Sequence, residues 1–160
     1  MSSTVTVRTA GREDEQVLGR LGAMLVVEHH DFDPRRFIAP IPDLAQRYGQ
    51  FLLSQVEREG MLVIVAEGDG EVIGYAYAGM EGNDYMALRG PAGVLYDLVV
   101  DPAHRRQGIG SALMEAALNR LRELGAPRVL LFTADKNHGA QAMFDRAGFR
   151  RTMIEMTREL

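Results

Sequence analysis

The chain has 160 residues, 46% hydrophobic and 25% charged, which are the proportions of one ordinary globular domain spanning residues 1–160. A net charge of −4 argues against a general nucleic-acid binder, and no apolar run approaches the roughly 20 residues that span a bilayer. The absence of cysteine excludes disulfides, Cys-bound zinc and a cysteinyl acyl-enzyme.

Thr4 to Thr9 alternates Val5 and Val7 with polar residues and reads as a short strand. Met1 to Arg8 lacks the apolar centre of a signal peptide, so a cytoplasmic location is expected. A helix starts near Arg12, with Val17, Leu18, Leu21, Met24 and Leu25 on its buried stripe. His29 to Pro42 is irregular and carries three prolines, and Asp33-Pro34 has the form of a helix cap followed by an N1 proline. A second helix places Leu44, Tyr48, Phe51, Leu52 and Val56 on one face. Met61–Ala66 and Val72–Ala78 read as strands joined by the hairpin turn Gly68-Asp69-Gly70-Glu71. Glu81 to Pro91 is a loop, and Val94–Val100 is a strand. Ile109 to Leu124 forms a helix that Gly125 ends and Pro127 prevents from continuing. Val129–Thr133 is a strand, Asn137–Ala147 is a helix stopped by Gly148, and the tail Phe149–Glu159 supplies one or two last strands.

Between strand 94–100 and the next helix lies Asp101-Pro102-Ala103-His104-Arg105-Arg106-Gln107-Gly108-Ile109-Gly110-Ser111. A strand, a basic glycine-bearing turn and a helix N-terminus together make an anion site, because free N–H groups and the positive end of the helix dipole point outward. Glycine at 108 and 110 lets phosphate oxygens approach the main chain. A Rossmann fingerprint fails because Leu113 stands at the third glycine position, and a P-loop fails because no Gly-Lys-Ser/Thr follows. The histidines at 29, 30, 104 and 138 show no HExxH-type spacing, so no metal is expected.

The order Arg-x-x-Gly-x-Gly, Arg105 to Gly110, resembles the pyrophosphate-binding motif of the GNAT superfamily of acyl-CoA-dependent N-acyltransferases. Asn137, Ala140 and Phe144, closed by Gly148-Phe149, are similar to the superfamily's second signature. Ordinary packing also accounts for that helix, since Ala140, Met143, Phe144 and Ala147 form one apolar stripe and Asn137 can cap it. The resemblance implies an α/β fold: a mixed, mostly antiparallel sheet of six to seven strands with a splayed pair, flanked by about four helices. It implies acetyl-CoA as acyl donor, no metal, and acetyl transfer to a small-molecule or peptide amine by direct attack, in a protein that forms a homodimer and contacts neither nucleic acid nor membrane.

The resemblance also assigns roles to residues. Unpaired backbone groups of Leu98, Val99 and Val100 would bind pantetheine, with the Val99 N–H as oxyanion donor. Arg105, Arg106, Gln107, Gly108, Ile109, Gly110 and Ser111 would hold the pyrophosphate, with Asn137 and Phe144 beside the pantetheine. Many relatives carry a tyrosine where this chain has Phe144, and that hydroxyl protonates the departing thiolate; Phe144 cannot. The acceptor makes the steeper demand, because freeing the lone pair of an amine with a pKa near ~10.4 costs roughly 4.6 kcal/mol at neutral pH. Asp97 is the candidate base, since it interrupts an otherwise apolar strand where an unpaired carboxylate is expensive; a strand-end hydrogen bond to a loop is the structural alternative. His30, Asp33, Tyr77 and Asp97 are the expected acceptor-site residues, with Asp31 and Asp84 as further carboxylates, Tyr75 and Tyr85 as either acceptor-site lining or plain strand and loop aromatics, and Tyr96 as core or pocket wall. A non-catalytic acyl-CoA sensor is the alternative function, and Phe144 is the feature that favours it.

Overall fold

The structure is a computed structural model describing residues 4–160. Its sheet is built outward from a hairpin. β2 (Met61–Gly68) and β3 (Glu71–Glu81) are joined by Asp69 and Gly70, whose φ angles of 52° and 80° are both left-handed. A two-residue turn of that kind matches the right-handed twist of the strands it links. β1 (Thr6–Thr9) lies antiparallel on the outer edge of β2, and β4 (Ala92–Val100) lies antiparallel on β3. β5 (Val129–Leu131) pairs parallel with β4, completing the order β1-β2-β3-β4-β5. β2 is buried along nearly its whole length, and its run Leu-Val-Ile-Val-Ala suits a strand covered on both faces.

The helices divide between those faces. α1 (Glu15–Phe32) and α2 (Leu44–Val56) cover one, packing Leu18, Leu21 and Leu52 on Val63, Val65, Tyr75 and Val99. α3 (Ile109–Glu123) covers the other, with Ile109, Leu113, Ala117 and Leu121 on Ile64, Ala76, Ala78 and Leu95, and α4 (His138–Arg146) adds Met143 and Phe144 there. α1 and α2 touch backbone to backbone. A Cβ at Gly19 would sit 2.1 Å from the Ala45 carbonyl oxygen, and one at Gly49 would sit 2.5 Å from that of Glu15. Phe51, expected on the buried face of α2, is 46% exposed, and its ring packs edge-on against Tyr48 and Tyr77.

The sheet among the described residues has five strands where six to seven were expected, because the tail forms none. Residues 151–160 are exposed and carry no regular structure; Glu155 pairs with Arg36 and Glu159 with Arg35 in the α1–α2 connection. Arg151, at the start of the tail, pairs with Asp145 of α4. The connection itself is no helix start: Asp33 ends α1, and its carboxylate accepts from the Arg35 N–H in a local turn.

Candidate active site

A bulge in β4 opens the site. Tyr77 faces Asp97 and Ala78 faces Leu95, so Tyr96 is an extra residue without a partner on β3. On its other edge β4 meets β5 only from Gly93 to Leu95, and beyond the bulge it has no strand partner there among the described residues. The register then decides which groups are free. Asp101 N–H donates to the Ile73 carbonyl at 2.8 Å, and the antiparallel ladder repeats every second residue, so Val99 and Asp97 also turn toward β3. The N–H groups of Leu98 and Val100 face the open edge. This corrects the expectation for Val99: its N–H is turned to β3 and its side chain is in the core, so Leu98 is the available donor.

The open edge borders a cleft whose walls include Leu95 and Leu98 of β4, Thr133 beyond β5, and Asn137 and Phe144 of α4. Asn137 caps α4 by accepting from the Ala140 N–H at 3.1 Å, and Phe144 packs edge-on against Phe149. At the far end of β4, Asp101 pairs with Arg20 and accepts from the Ala103 N–H, fixing the short turn Pro102–His104. Arg105 is held by its contacts with the Val100 carbonyl and Glu28, while Arg106, Gln107 and Ser111 are exposed. Gly108, with φ 79°, precedes α3 and has open space around its missing Cβ. Gly108 has no side chain with which to cap α3, which leaves the helix's first N–H groups without a cap bond from it. Ile109 anchors the turn in the core, and Gly110 sits between Met143 and Val100.

On the α1–α2 side, a second cavity of roughly 230 Å³ is lined by Leu25, Val26 and His29 of α1, Phe37 and Ile38 of the connection, and Tyr96 and Asp97 of β4. Asp97 is 9% exposed, and one of its oxygens accepts from the hydroxyls of Tyr48 at 2.7 Å and Tyr75 at 2.9 Å. Burial pushes its carboxyl above the usual carboxylate range, against the opposing pull of those hydroxyls and of His29. Burial and the neighbouring carboxylate push both phenols well up, so they remain proton donors to Asp97. Tyr96 donates to Glu81 at the cavity rim.

Residues 24–149 match the sequence profile of the Acetyltransferase (GNAT) family. The chain belongs to that family. It is 29% identical over 146 residues to a mycothiol acetyltransferase of Kocuria rhizophila, covering 89% of this chain and 45% of that protein. Over 99 residues it is 34% identical to human N-acetyltransferase 8, covering 62% of this chain and 43% of the relative. The chain thus spans less than half the length of either. An aminoglycoside N-acetyltransferase solved in complex with CoA superposes with a TM-score of 0.74 at 18% identity, covering 100% of this chain and 97% of the other. A protein of Bacillus halodurans described as a transcriptional regulator superposes at 0.76 with 22% identity, covering 98% and 100% of the two chains.

This GNAT chain does not bring every expected residue to the cavities. Tyr77 is in the core and donates to Gln55 at 3.1 Å. His30 contacts the Phe37 carbonyl, Asp33 serves its turn, and Asp84 accepts from the Met86 and Ala87 N–H groups within its own loop. None of the four lines either cavity. His29, which lines both cavities, was not assigned there from sequence; Tyr48 and Tyr75 line neither but donate to Asp97 from α2 and β3. Helical phase carries a signal for His29, since it follows Leu21 and Leu25 at intervals of four and His30 is rotated off that stripe. Among the described residues no group of three His, Asp or Glu could hold a metal ion, and no helix is long and apolar enough to cross a membrane.

Proposed function

We propose that this chain is an acetyl-CoA-dependent N-acetyltransferase that moves the acetyl group directly to an amine. The observation that carries this reading is the meeting of two unsatisfied backbone surfaces: the open edge of β4 at Leu98 and Val100, and the uncapped N-terminus of α3 behind Gly108. Their spacing on one strand–turn–helix unit suits a ligand with an amide-bearing arm and a pyrophosphate. The relatives named above as acetyltransferases, and the CoA complex of the aminoglycoside enzyme, support the same donor.

In this reading Arg105, Arg106 and the N–H groups from Gly108 to Ser111 hold the pyrophosphate, and the open β4 edge holds the pantetheine arm beside Asn137 and Phe144. Acetyl-CoA, when bound, supplies a thioester whose C–S bond breaks as the C–N bond forms, the sulfur leaving with one of the amine's protons. The Leu98 N–H is the donor for the developing oxyanion. Asp97, one of whose oxygens accepts from two tyrosines, acts as a buried counter-charge that draws an ammonium into the cavity beside it. The cavity's remaining walls are mostly apolar, which suits an amine carried on an apolar body.

The test measures CoA release from acetyl-CoA with 2-phenylethylamine, spermidine, kanamycin and a tetrapeptide with a free N-terminus. Turnover with at least one amine, and none without amine, supports the reading. Gly108→Glu places a carboxylate in the pyrophosphate cradle and should weaken acetyl-CoA binding at least tenfold, about 1.4 kcal/mol by calorimetry. Gly108→Asn, which tolerates a left-handed φ, controls for backbone strain and should bind more tightly than the Glu variant. Equal affinity of the Glu variant and wild type overturns the donor site.

A further inference from the structure

We infer that His29, through its Nε2, is the proton acceptor for the incoming amine, an assignment that rests on the N-acetyltransferase reading. Three observations converge on it. First, His29 is the residue of α1 that lines both cavities, so it stands in the wall between the acceptor space beside Asp97 and the cleft along the open β4 edge. An amine must lie at that junction to reach a thioester held on β4. Second, the ring's tautomer is set by its neighbour. Nδ1 lies 2.8 Å from the Leu25 carbonyl oxygen, which has no proton to give, so the contact requires a proton on Nδ1. In the neutral ring Nε2 then carries the lone pair. Third, the ring is clamped edge-on by Phe32 at 5.7 Å and by Phe37 at 5.1 Å, which hold its orientation without taking a proton.

The proton count closes. An ammonium loses two protons on becoming a secondary amide; one leaves with the sulfur and the other passes to Nε2 and from there to water. Asp97 lies in the wall of the same cavity as His29. The groups facing the ring from other elements are Asp97 and Tyr96 of β4, with Tyr48 of α2 and Tyr75 of β3 behind the Asp97 carboxylate; Glu28 and His30 flank it on α1. His30 makes the same kind of bond, Nδ1 to the Phe37 carbonyl at 3.1 Å, yet lines neither cavity and so provides a matched control.

The first experiment needs no turnover. Two-dimensional ¹⁵N imidazole spectra of the free protein at about pH 8 should show His29 protonated on Nδ1, and an Nε2-protonated ring overturns the assignment. The second compares His29→Gln with His30→Gln on whichever amine of the panel wild type acetylates best. His29→Gln should lower kcat by about a hundredfold with acetyl-CoA affinity within twofold of wild type, and its rate should keep climbing about tenfold per pH unit up to the amine's own pKa as free amine replaces ammonium. His30→Gln should stay within twofold of wild type. A His29→Gln enzyme that keeps the wild-type rate and pH profile overturns the inference while leaving N-acetylation standing, whereas a wild type inert toward every amine overturns the N-acetylation reading and the inference with it.

Discussion

A buried carboxylate shared by two phenols is the most consequential residue-scale feature of this chain. Asp97 sits inside a strand where an unpaired charge would be costly, and Tyr48 and Tyr75 offset that cost from two different elements. Removing one donor should therefore be felt in stability as well as function. Tyr48→Phe should destabilise the fold by about 1–3 kcal/mol, read by urea melting, because it leaves a buried acceptor partly unsatisfied. Asp97→Asn keeps the shape and can still accept from both hydroxyls, but it lacks the charge. The expected result is at least a tenfold rise in the amine's KM with acetyl-CoA affinity within twofold of wild type. A variant with unchanged KM would make Asp97 a core hydrogen-bond acceptor and nothing more.

Element packing depends on two close approaches. Gly19 and Gly49 let the backbones of α1 and α2 touch, and a methyl group at either would meet a carbonyl oxygen well inside contact distance. Gly49→Ala should cost about 1–3 kcal/mol or more through forced separation, with Tm falling by several degrees. The same separation would move Tyr48 away from Asp97, so amine KM should rise along with it. The joint between β1 and α1 is ionic. Asp14 accepts from the Gly11 N–H at 2.8 Å and from both ends of the Arg8 guanidinium, at 2.7 and 3.1 Å. Burial pushes the Asp14 carboxyl up, but those bonds outweigh it and hold the carboxyl below its ordinary value of 3.8. A carboxyl with a depressed folded pKa contributes stability above its unfolded value, and that contribution is lost as pH falls through the folded one. Asp14→Asn should therefore cost about 1–2 kcal/mol at pH 7, discounted for the part-exposed arginine, and the difference from wild type should shrink steadily below about pH 4. A cost that persists unchanged at about pH 2 would mean that shape, not charge, joins the two elements.

At the scale of the whole molecule, the tail from Arg151 onward is held by ion pairs between exposed groups, which typically contribute about 0–1 kcal/mol each. Ending the chain at Arg150 should lower Tm by no more than about 4 °C and leave acetyl-CoA affinity unchanged. A fall of more than about 8 °C would show that the tail takes a structured place in solution. The sequence by itself determined what short-range chemistry controls. The Asp69-Gly70 turn, the glycine turn ahead of Ile109, the apolar stripes of four helices and the uninterrupted apolar run of β2 were all legible, because turn angles and side-chain periodicity depend on neighbours a few residues apart. The Arg105–Gly110 and Asn137–Phe149 motifs carried the family by the same local logic. What remained hidden depends on register and on contacts between distant segments. One extra residue at Tyr96 decides where β4 parts from β5, and the ladder counted from Asp101 decides that Leu98 rather than Val99 turns its N–H to the open edge. Helical phase set His29 apart from His30, but only the packing of α1 over β4 brings it to both cavities, and the approach of α2 and β3 brings two hydroxyls to Asp97. Those outcomes follow from how whole elements pack, because a bulge is defined only against a partner strand and a buried charge only by the segments that surround it.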